Sequence, residues 1–507
     1  MLTLDKKNYK VVKQKVVFRT DGSTAIGMGH VVRCLALANM LKDFFEIVFV
    51  IQQTDENVVK IIGEVTESII QLPHNSNFIE DASVFINYVQ AGDIVVLDGY
   101  DFKTEYQVLV LSKKCKLVCI DDLHSFHQVA DAIINHSDGI TYSDHSTEPY
   151  TVVNTGLDYA MLRSAFLNKS ENLHTIIDVK KVFISMGAAD VNNLSQKFVE
   201  VLIQVEGIKE IHLMLGTVNP HLTKIIALKE NQTEIDVALH TNITASQLCD
   251  LLMECDVAIC PASTIALECC AAGIGLLTGI TADNQRGILL GLIKNNAAID
   301  LGDFLKIDSK ELTEKFKKYF ASPEVLNQLV LKQRLMIDGK SPERFVSLFK
   351  QLSLQNLRFR FAGASDVDLY FKWTNDPLVR KNSYNQNPIK YNDHVKWFNS
   401  KLNTTNCCFY LFYNFEKVPV GQVRIDNGPE ETVIGISIDE NFRGKSYGVE
   451  MLNLAVGDYL RKNPDSVIFA FIKEENLASK SIFKKAGFMG DKIVLEQGTK
   501  SHKLYKN

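Results

Sequence analysis

At 507 residues the chain is too long for one ordinary hydrophobic core, and a prior of roughly 150 residues per domain points to about three domains. Apolar residues make up 46% and charged residues 23%, the balance of a soluble globular protein, and a net charge of −5 offers no basic field for nucleic acid or an anionic membrane. MLTLDKKNYKVVKQK lacks a signal-like apolar core, no apolar run approaches the ~20 residues of a membrane span, and no C-x-x-C pair occurs, so a cytoplasmic enzyme without structural zinc is expected.

From residue 15 to about 300, continuous apolar runs alternate with amphipathic helical stretches. KVVFRT (15–20), FEIVFVI (45–51), DIVVLD (93–98), KLVCID (116–121) and ADAIIN (130–135) read as parallel strands buried on both faces. HVVRCLALANMLKD (30–43) repeats apolar residues at three and four and reads as a helix. The polar stretch 168–180 interrupts the rhythm, which restarts at KVFISMG (181–187) and runs through IKEIHLMLG (208–216), EIDVALHT (234–241), DVAICPA (256–262) and IGLLTGI (274–280). The expected fold class is α/β: two Rossmann-like lobes, 1–172 and 173–353, binding ligand in the cleft at their strand carboxyl ends. From LRFRFAG (357–363) the pattern turns to α+β, placing a third domain at 354–507. It has helical segments at 365–373 and 391–402, three strands, a helix at 447–462, a strand, a helix at 476–486 and one final strand.

In the first lobe, TDGSTAIGMGHVVRC follows a buried strand and opens a helix. Gly27 and Gly29 allow a tight turn and leave room for a ligand against the backbone. His30 then stands at a helix N-terminus, where free N–H groups and the dipole favour an anion and a neutral imidazole, available as a base. The same spacing also fits an ordinary β–α turn with a capping histidine. In the second lobe, CPASTIALECCAAGIGLLTGITADNQ (260–285) sets Ser263 and Thr264 at a helix start, suited to a diphosphate. Glu268, one turn on, can accept from both hydroxyls of a ribose, and Asn284 and Gln285 open another helix beside the same cleft. A well-capped helix with a structural glutamate is the alternative. Asp121 and Asp122 read as turn or capping residues, and His124, His127, His136 and His145 lack a helical metal-ligand spacing.

Taken together, IGMGHVVRCLALA, VVLDGYDF, IDDLH, GLDYAMLRSAF, FISMGAADVNN, STIALECCAAGIGLLTGITADNQ and IDGKSPER resemble the UDP-2,4-diacetamido-2,4,6-trideoxy-β-L-altropyranose hydrolases of pseudaminic acid biosynthesis, from about residue 15 to 350. The resemblance implies the two-lobed fold of the MurG-like glycosyltransferases (GT-B) and inverting hydrolysis at an anomeric carbon, with UDP leaving and no metal. It implies His30 as base for the attacking water and Tyr100 positioning the sugar or the water. It assigns the diphosphate to Asn284 and the Ser263–Thr264 turn and the ribose to Glu268, with Arg19, Asp21, Gly27, Gly29, Asp98 and Gln285 as further substrate-binding residues. A diphosphate is already a good leaving group, so backbone amides can replace an acid catalyst.

In the third domain, GISIDENFRGKSYGVEMLNLAVGDYL sets a strand, a basic glycine-containing turn and a helix in succession. Consecutive N–H groups at such a turn suit the pyrophosphate of coenzyme A, with Arg443 and Lys445 adding charge, although a generic charged turn has the same composition. FRGKSYG resembles the R-x-x-G-x-G/A loop of the GCN5-related N-acetyltransferases (GNATs), and NLASKSIFKKAGF (476–488) their later helix and G-F ending. FKWTNDPLVRKNSY and HVKWF resemble the branch with ribosomal-protein and amino-sugar acetyltransferases, and the likeness runs from 357 to about 500. It implies acetyl-CoA as cosubstrate, held by Arg443, Gly444, Lys445, Ser446, Tyr447 and Gly448, with the backbone of Ile436 and Ile438 aligning the thioester and Asn476 near the pantetheine arm. Two departures stand out. Ser446 replaces the first loop glycine, which is tolerable with a negative φ; Phe483 stands where many members have the tyrosine that protonates the departing thiolate, so no catalytic acid is named.

The two resemblances describe consecutive steps: 4-N-acetylation of UDP-4-amino-4,6-dideoxy-β-L-AltNAc, then removal of UDP. The expected partners are that UDP-amino sugar and acetyl-CoA, with no nucleic acid, membrane or metal. Three other readings stay open: the same folds on a different nucleotide sugar, a protein N-terminus as acetyl acceptor, or a nucleotide-sugar-binding regulator without turnover.

Overall fold

The computed structural model describes residues 13–22, 28–167, 175–187, 190–216, 219–232 and 234–507. Its contacts divide the chain into two units, Met1–Thr147 with Val152–Ser353, and Glu148–Thr151 with Leu354–Asn507.

The first unit holds two parallel sheets. Strands β1 (Lys15–Thr20), β2 (Glu46–Gln52), β3 (Ile69–Leu72), β4 (Ile94–Asp98), β5 (Lys116–Ile120), β6 (Ala132–Asn135) and β7 (Val152–Thr155) lie in the order β3-β2-β1-β4-β5-β6-β7. Alternate residues of β1 feed two different cores, as a strand covered on both faces must. Val16 and Phe18 pack with the helix Gly29–Leu41 and with Phe345 and Phe349, whereas Val17 packs with Phe85, Tyr106 and Val110. The helix Ser341–Leu354, last in the unit, therefore returns to the first sheet.

The second sheet has β8 (Lys181–Ser185), β9 (Glu210–Met214), β10 (Asp236–His240), β11 (Val257–Pro261), β12 (Gly275–Ile280) and β13 (Ile299–Asp303), ordered β10-β9-β8-β11-β12-β13. Strand order reverses between β1 and β4, and again between β8 and β11. At such points the flanking connections depart to opposite faces and leave a crevice at the strand carboxyl ends. The short edge strands β3, β7 and β13 carry no long apolar run and are not evident in the sequence.

In the second unit, β14 (Leu357–Phe361), β15 (Cys407–Asn414), β16 (Pro419–Asn427), β17 (Thr432–Ile438), β18 (Ile468–Lys473), β19 (Met489–Glu496) and β20 (Thr499–Lys506) are ordered β14-β15-β16-β17-β18-β20-β19. Only β17 and β18 pair in parallel. The chain closes on a hairpin rather than on the single final strand expected. Its two-residue turn puts Gln497 (φ 45°) and Gly498 (φ 76°) in the left-handed region that suits strand twist, and exposed β19 shows no clear alternation. Among the described residues no helix is long and apolar enough to cross a membrane.

Arg19, expected at the substrate, is instead a buried strut on β1. It is 0% exposed, and its guanidinium donates to Asp21 at 2.6 Å and to both oxygens of Asp81 at 3.0 Å, while the Tyr106 hydroxyl donates to Asp81 at 2.8 Å. Asp21 also accepts from the Gln52 amide at 2.7 Å, so it too braces the strand ends. Arg19→Ala leaves the buried Asp81 carboxylate without its counter-charge and is expected to cost about 3–5 kcal/mol in the first unit. Denaturant unfolding of the variant checks this; a loss below about 1 kcal/mol is the surface-pair value and contradicts the strut role.

Candidate functional site

The register of β1 with β4 sets Thr20 opposite Asp98, and the helix Gly29–Leu41 starts above them. His30, second in that helix, brings Nδ1 to 2.7 Å from Asp98 Oδ1. One turn on, Arg33 donates to the two Asp98 oxygens at 2.7 and 2.6 Å and to Asp122 at 2.6 Å. Burial alone raises the Asp98 carboxyl, but the charges of Arg33 and His30 outweigh it and hold the group well below the usual carboxylate range. Arg33 Nη2 also lies 3.1 Å from His30 Nδ1, but the shorter contact is with the ionised Asp98, which favours the imidazole proton on Nδ1 and a lone pair on Nε2. Asp98 itself is 0% exposed, so it orients His30 instead of touching substrate as expected.

The Tyr100 ring meets the His30 ring edge-on at 4.8 Å, and its hydroxyl accepts from Asn284 Nδ2 at 2.5 Å. First-lobe and second-lobe candidates thus meet at the crevice. Burial, with Asp122 nearby, raises the Tyr100 phenol, which keeps its proton at neutral pH. Among the described residues a Cβ at Gly29 would meet nothing within 4 Å; Gly27 lies outside the described residues.

In the second lobe, Ser263 is the N-cap of the helix Thr264–Ala272, yet its side chain makes no capping bond, and Thr264 opens the helix. Asn284 Oδ1 is buried without a partner, whereas Gln285 closes a local turn by accepting from the Thr281 amide at 2.7 Å. Glu268, expected at the ribose, is 2% exposed, and Arg163 donates to its two oxygens at 2.6 and 2.7 Å. It is the counter-ion of Arg163, whose side chain keeps 27% exposure. Arg163 and Arg33 both stand inside motifs the sequence displays, but nothing in their spacing marks an ion pair.

Behind the dyad, Asp121 caps its turn by accepting from the amides of Leu123 and His124 at 3.0 and 2.9 Å, as expected, while Asp122 pairs with Arg33. Burial pushes the His136 imidazole down to about 4, so it stays neutral. No group of three or more His, Cys, Asp or Glu among the described residues is placed to hold a metal.

The second unit carries its own cleft, of about 720 Å³. β17 and β18 pair only at Thr432–Ile468 and Val433–Phe469, then part, and the gap is walled by 434–438 and 471–473. Ile436, Ile438, Arg443, Gly444 and Asn476 line it. Arg443 is braced by Asp376 at 2.7 Å and by the Ile438 carbonyl at 3.1 Å, and Asn476 caps the helix Leu477–Lys485 by accepting from the Ser479 amide. Lys445, Ser446, Tyr447 and Gly448 form the loop and helix start after β17; a Cβ at Gly448 would press on Ile438 and Ile482 at 3.1 Å, so that glycine serves close packing. Phe483, also at the cleft, packs on Phe488 at 4.9 Å and has no proton to give.

Ser446 departs from expectation: its φ is +64°, not negative. A side chain in the left-handed region costs roughly 1–2 kcal/mol, partly offset by the stiffer unfolded chain relative to glycine. Ser446→Gly is therefore expected to hold or slightly raise the unfolding free energy of the second unit, and Ser446→Val to lower it by about 1–2 kcal/mol, the unfolding midpoint moving with it. Equal midpoints for the two variants contradict the left-handed assignment. For Asp98 the sign follows from its depressed folded value: its stabilisation is present above the ordinary carboxylate value, about pH 4, and is lost as pH falls below it. Asp98→Asn is expected to flatten the acid-unfolding curve of the first unit below about pH 4, read by far-UV circular dichroism.

Two Rossmann-like lobes followed by a GNAT acetyltransferase domain is the architecture these features define, and residues 356–489 match the family described as acetyltransferase (GNAT) domain. That domain brings N-acetyltransferase chemistry with acetyl-CoA as cosubstrate. Along nearly its whole length the chain is similar to an uncharacterized protein of Methanocaldococcus jannaschii, 26% identical over 495 residues, with 94% of this chain and 96% of that one covered. It is 26% identical over 261 residues to the UDP-2,4-diacetamido-2,4,6-trideoxy-beta-L-altropyranose hydrolase of Campylobacter jejuni, covering 50% of this chain and 87% of that one. It is 24% identical over 347 residues to the spore coat polysaccharide biosynthesis protein SpsG of Bacillus subtilis, covering 66% and 98%. The chain is a fusion of a region homologous to that hydrolase with a C-terminal GNAT domain.

Proposed function

We propose that the chain is a bifunctional enzyme of pseudaminic acid biosynthesis, acting in the cytoplasm on one nucleotide-linked amino sugar. In this reading 354–507 acetylates the 4-amino group of a UDP-4-amino-6-deoxy sugar, and the lobes 1–172 and 173–353 hydrolyse the resulting UDP-2,4-diacetamido-2,4,6-trideoxy-β-L-altropyranose. The observation that carries the hydrolytic half is the His30–Asp98 pair at 2.7 Å, at the mouth of the switch-point crevice, with Tyr100 and Asn284 beside it. All ten cysteines are free thiols, which suits a reducing compartment.

The chemistry follows from the arrangement. His30 Nε2 takes a proton from water as the oxygen attacks the anomeric carbon, the bond from that carbon to the β-phosphate oxygen breaks, and UDP departs. Asp98 stabilises the imidazolium that forms. Ser263, Thr264 and Asn284 hold the diphosphate, with the helix N-terminus of Thr264–Ala272 taking up its charge, and Arg163, paired with Glu268 of that helix, is a further cation beside it. In the acetyltransferase cleft the parted edge of β17 aligns the thioester, the amine attacks its carbonyl carbon, the C–S bond breaks as the amide forms, and the nitrogen's surplus proton ends on the departing coenzyme A thiolate.

Incubation with acetyl-CoA and the UDP-4-amino sugar is expected to give the N-acetyl product first and free UDP second. UDP release without acetylation, or binding without either product, refutes the bifunctional reading. His30→Ala is expected to lower UDP release by about 10²–10⁴-fold while acetylation continues, and Asp98→Asn to lower it by a similar factor through the wrong imidazole tautomer. Undiminished hydrolysis by His30→Ala removes the histidine from its role.

A further inference from the structure

The acetyltransferase cleft is electrically one-sided. Arg380, Arg424, Arg443 and Lys473 line it, against a single acidic side chain, Asp393. Two of the four cations are already answered: Arg443 by Asp376 at 2.7 Å, and Arg424 by the Trp397 ring at 5.3 Å and Asp426 at 3.8 Å. Among the described residues the other two meet no carboxylate. Lys473, at the end of β18, is 4% exposed, and its ammonium makes one hydrogen bond, to the Lys381 carbonyl at 3.1 Å. Arg380 donates to the carbonyls of Thr374 at 2.6 Å and Asn385 at 3.1 Å and to the Ser383 hydroxyl at 2.9 Å, and meets no carboxylate.

An ammonium has three donors, and with one neutral acceptor the Lys473 ammonium keeps donors for an anion. Because Lys473 bonds the carbonyl of the residue next to Arg380, both charges bear on the helix Pro377–Asn382 at one wall of the cleft. Burial without a carboxylate lowers the Arg380 guanidinium, the mark of a cation lacking its counter-ion.

We propose that Arg380 and Lys473 form the anion-reading subsite for the acetyl acceptor, which enters as an amine bearing a phosphate-type anion, namely the diphosphate of a nucleotide-linked amino sugar. This rests on the nucleotide-sugar reading given above and adds the residues that enforce it. It also fixes the order of the two reactions from the cleft itself, since a sugar that has lost its nucleotide has nothing for this subsite to hold.

The test uses the full chain, acetyl-CoA, and either the UDP-4-amino sugar or the same amino sugar without UDP, with thiol release as readout. Wild type is expected to prefer the nucleotide-linked acceptor by about 100-fold or more in kcat/KM, as loss of a buried charge contact implies. Lys473→Gln and Arg380→Gln are each expected to raise the KM for that acceptor about tenfold or more while the KM for acetyl-CoA stays within about twofold. Equal use of both acceptors by wild type overturns the proposal, and so does a raised KM confined to acetyl-CoA, which assigns the two cations to the coenzyme. Should wild type acetylate neither sugar, the nucleotide-sugar reading fails and the subsite is read by equilibrium dialysis of the CoA-loaded chain with UDP. One more equivalent of UDP on wild type than on the Arg380→Gln/Lys473→Gln variant supports the subsite; equal stoichiometry overturns it. Unaltered CoA affinity in the same experiment shows that the variants are folded.

Discussion

An aspartate buried to 0% exposure and kept ionised is the constraint on which the first unit's candidate site turns. Carrying an unpaired carboxylate into a protein interior costs several kcal/mol, so Asp98 is tenable only with two donors facing it. Arg33 supplies one with two short bonds, and His30 supplies the other. The dependence is mutual. The carboxylate that needs the imidazole also favours one of its tautomers, and Arg33, tied to Asp122 as well, keeps the carboxylate from turning away.

That pairing exists because of where the sheet changes direction. Asp98 ends β4 and faces Thr20 at the end of β1, the two strands between which the order reverses. The second lobe repeats the device between β8 and β11, and the Ser263–Thr264 helix start follows β11 directly. The acetyltransferase sheet reaches the same result by another route. β17 and β18 run parallel, pair over two residues and then part, exposing backbone along a cleft. In each case the site sits where regular strand pairing ends and main-chain groups become available to a ligand.

Much of this was legible in the sequence because it depends on local pattern. The strands buried on both faces announce themselves as apolar runs, the glycine turn before His30 and the helix start at Ser263 are contiguous, and the basic loop 443–448 precedes a helix as expected. What escaped depends on partners far along the chain. The Arg33–Asp98 and Arg163–Glu268 pairs join residues 65 and 105 positions apart, and no spacing rule reaches that far. Arg19, Asp98 and Glu268 carry charge and flank motifs, so they read as ligand contacts, and only burial shows that they serve other side chains. The left-handed φ of Ser446 is not legible for a different reason: its backbone is dictated by the turn between β17 and the next helix, and serine by itself gives no sign of that region.

Unanswered charge separates a site from a brace in this molecule. The cations that hold structure, Arg19 and Arg33, are each met by two carboxylates, and the ion pairs close within the protein. Lys473 and Arg380 are met by carbonyls and a hydroxyl alone. Folding does not gain from leaving a buried cation in that state, because an apolar residue of similar size packs as well without the desolvation penalty. A buried Lys473 and a partly exposed Arg380 on one wall are what an anion on the proposed acceptor would complete. The acetyltransferase cleft, which lacks a nameable acid at Phe483, is thus better specified by what it binds than by how it moves protons.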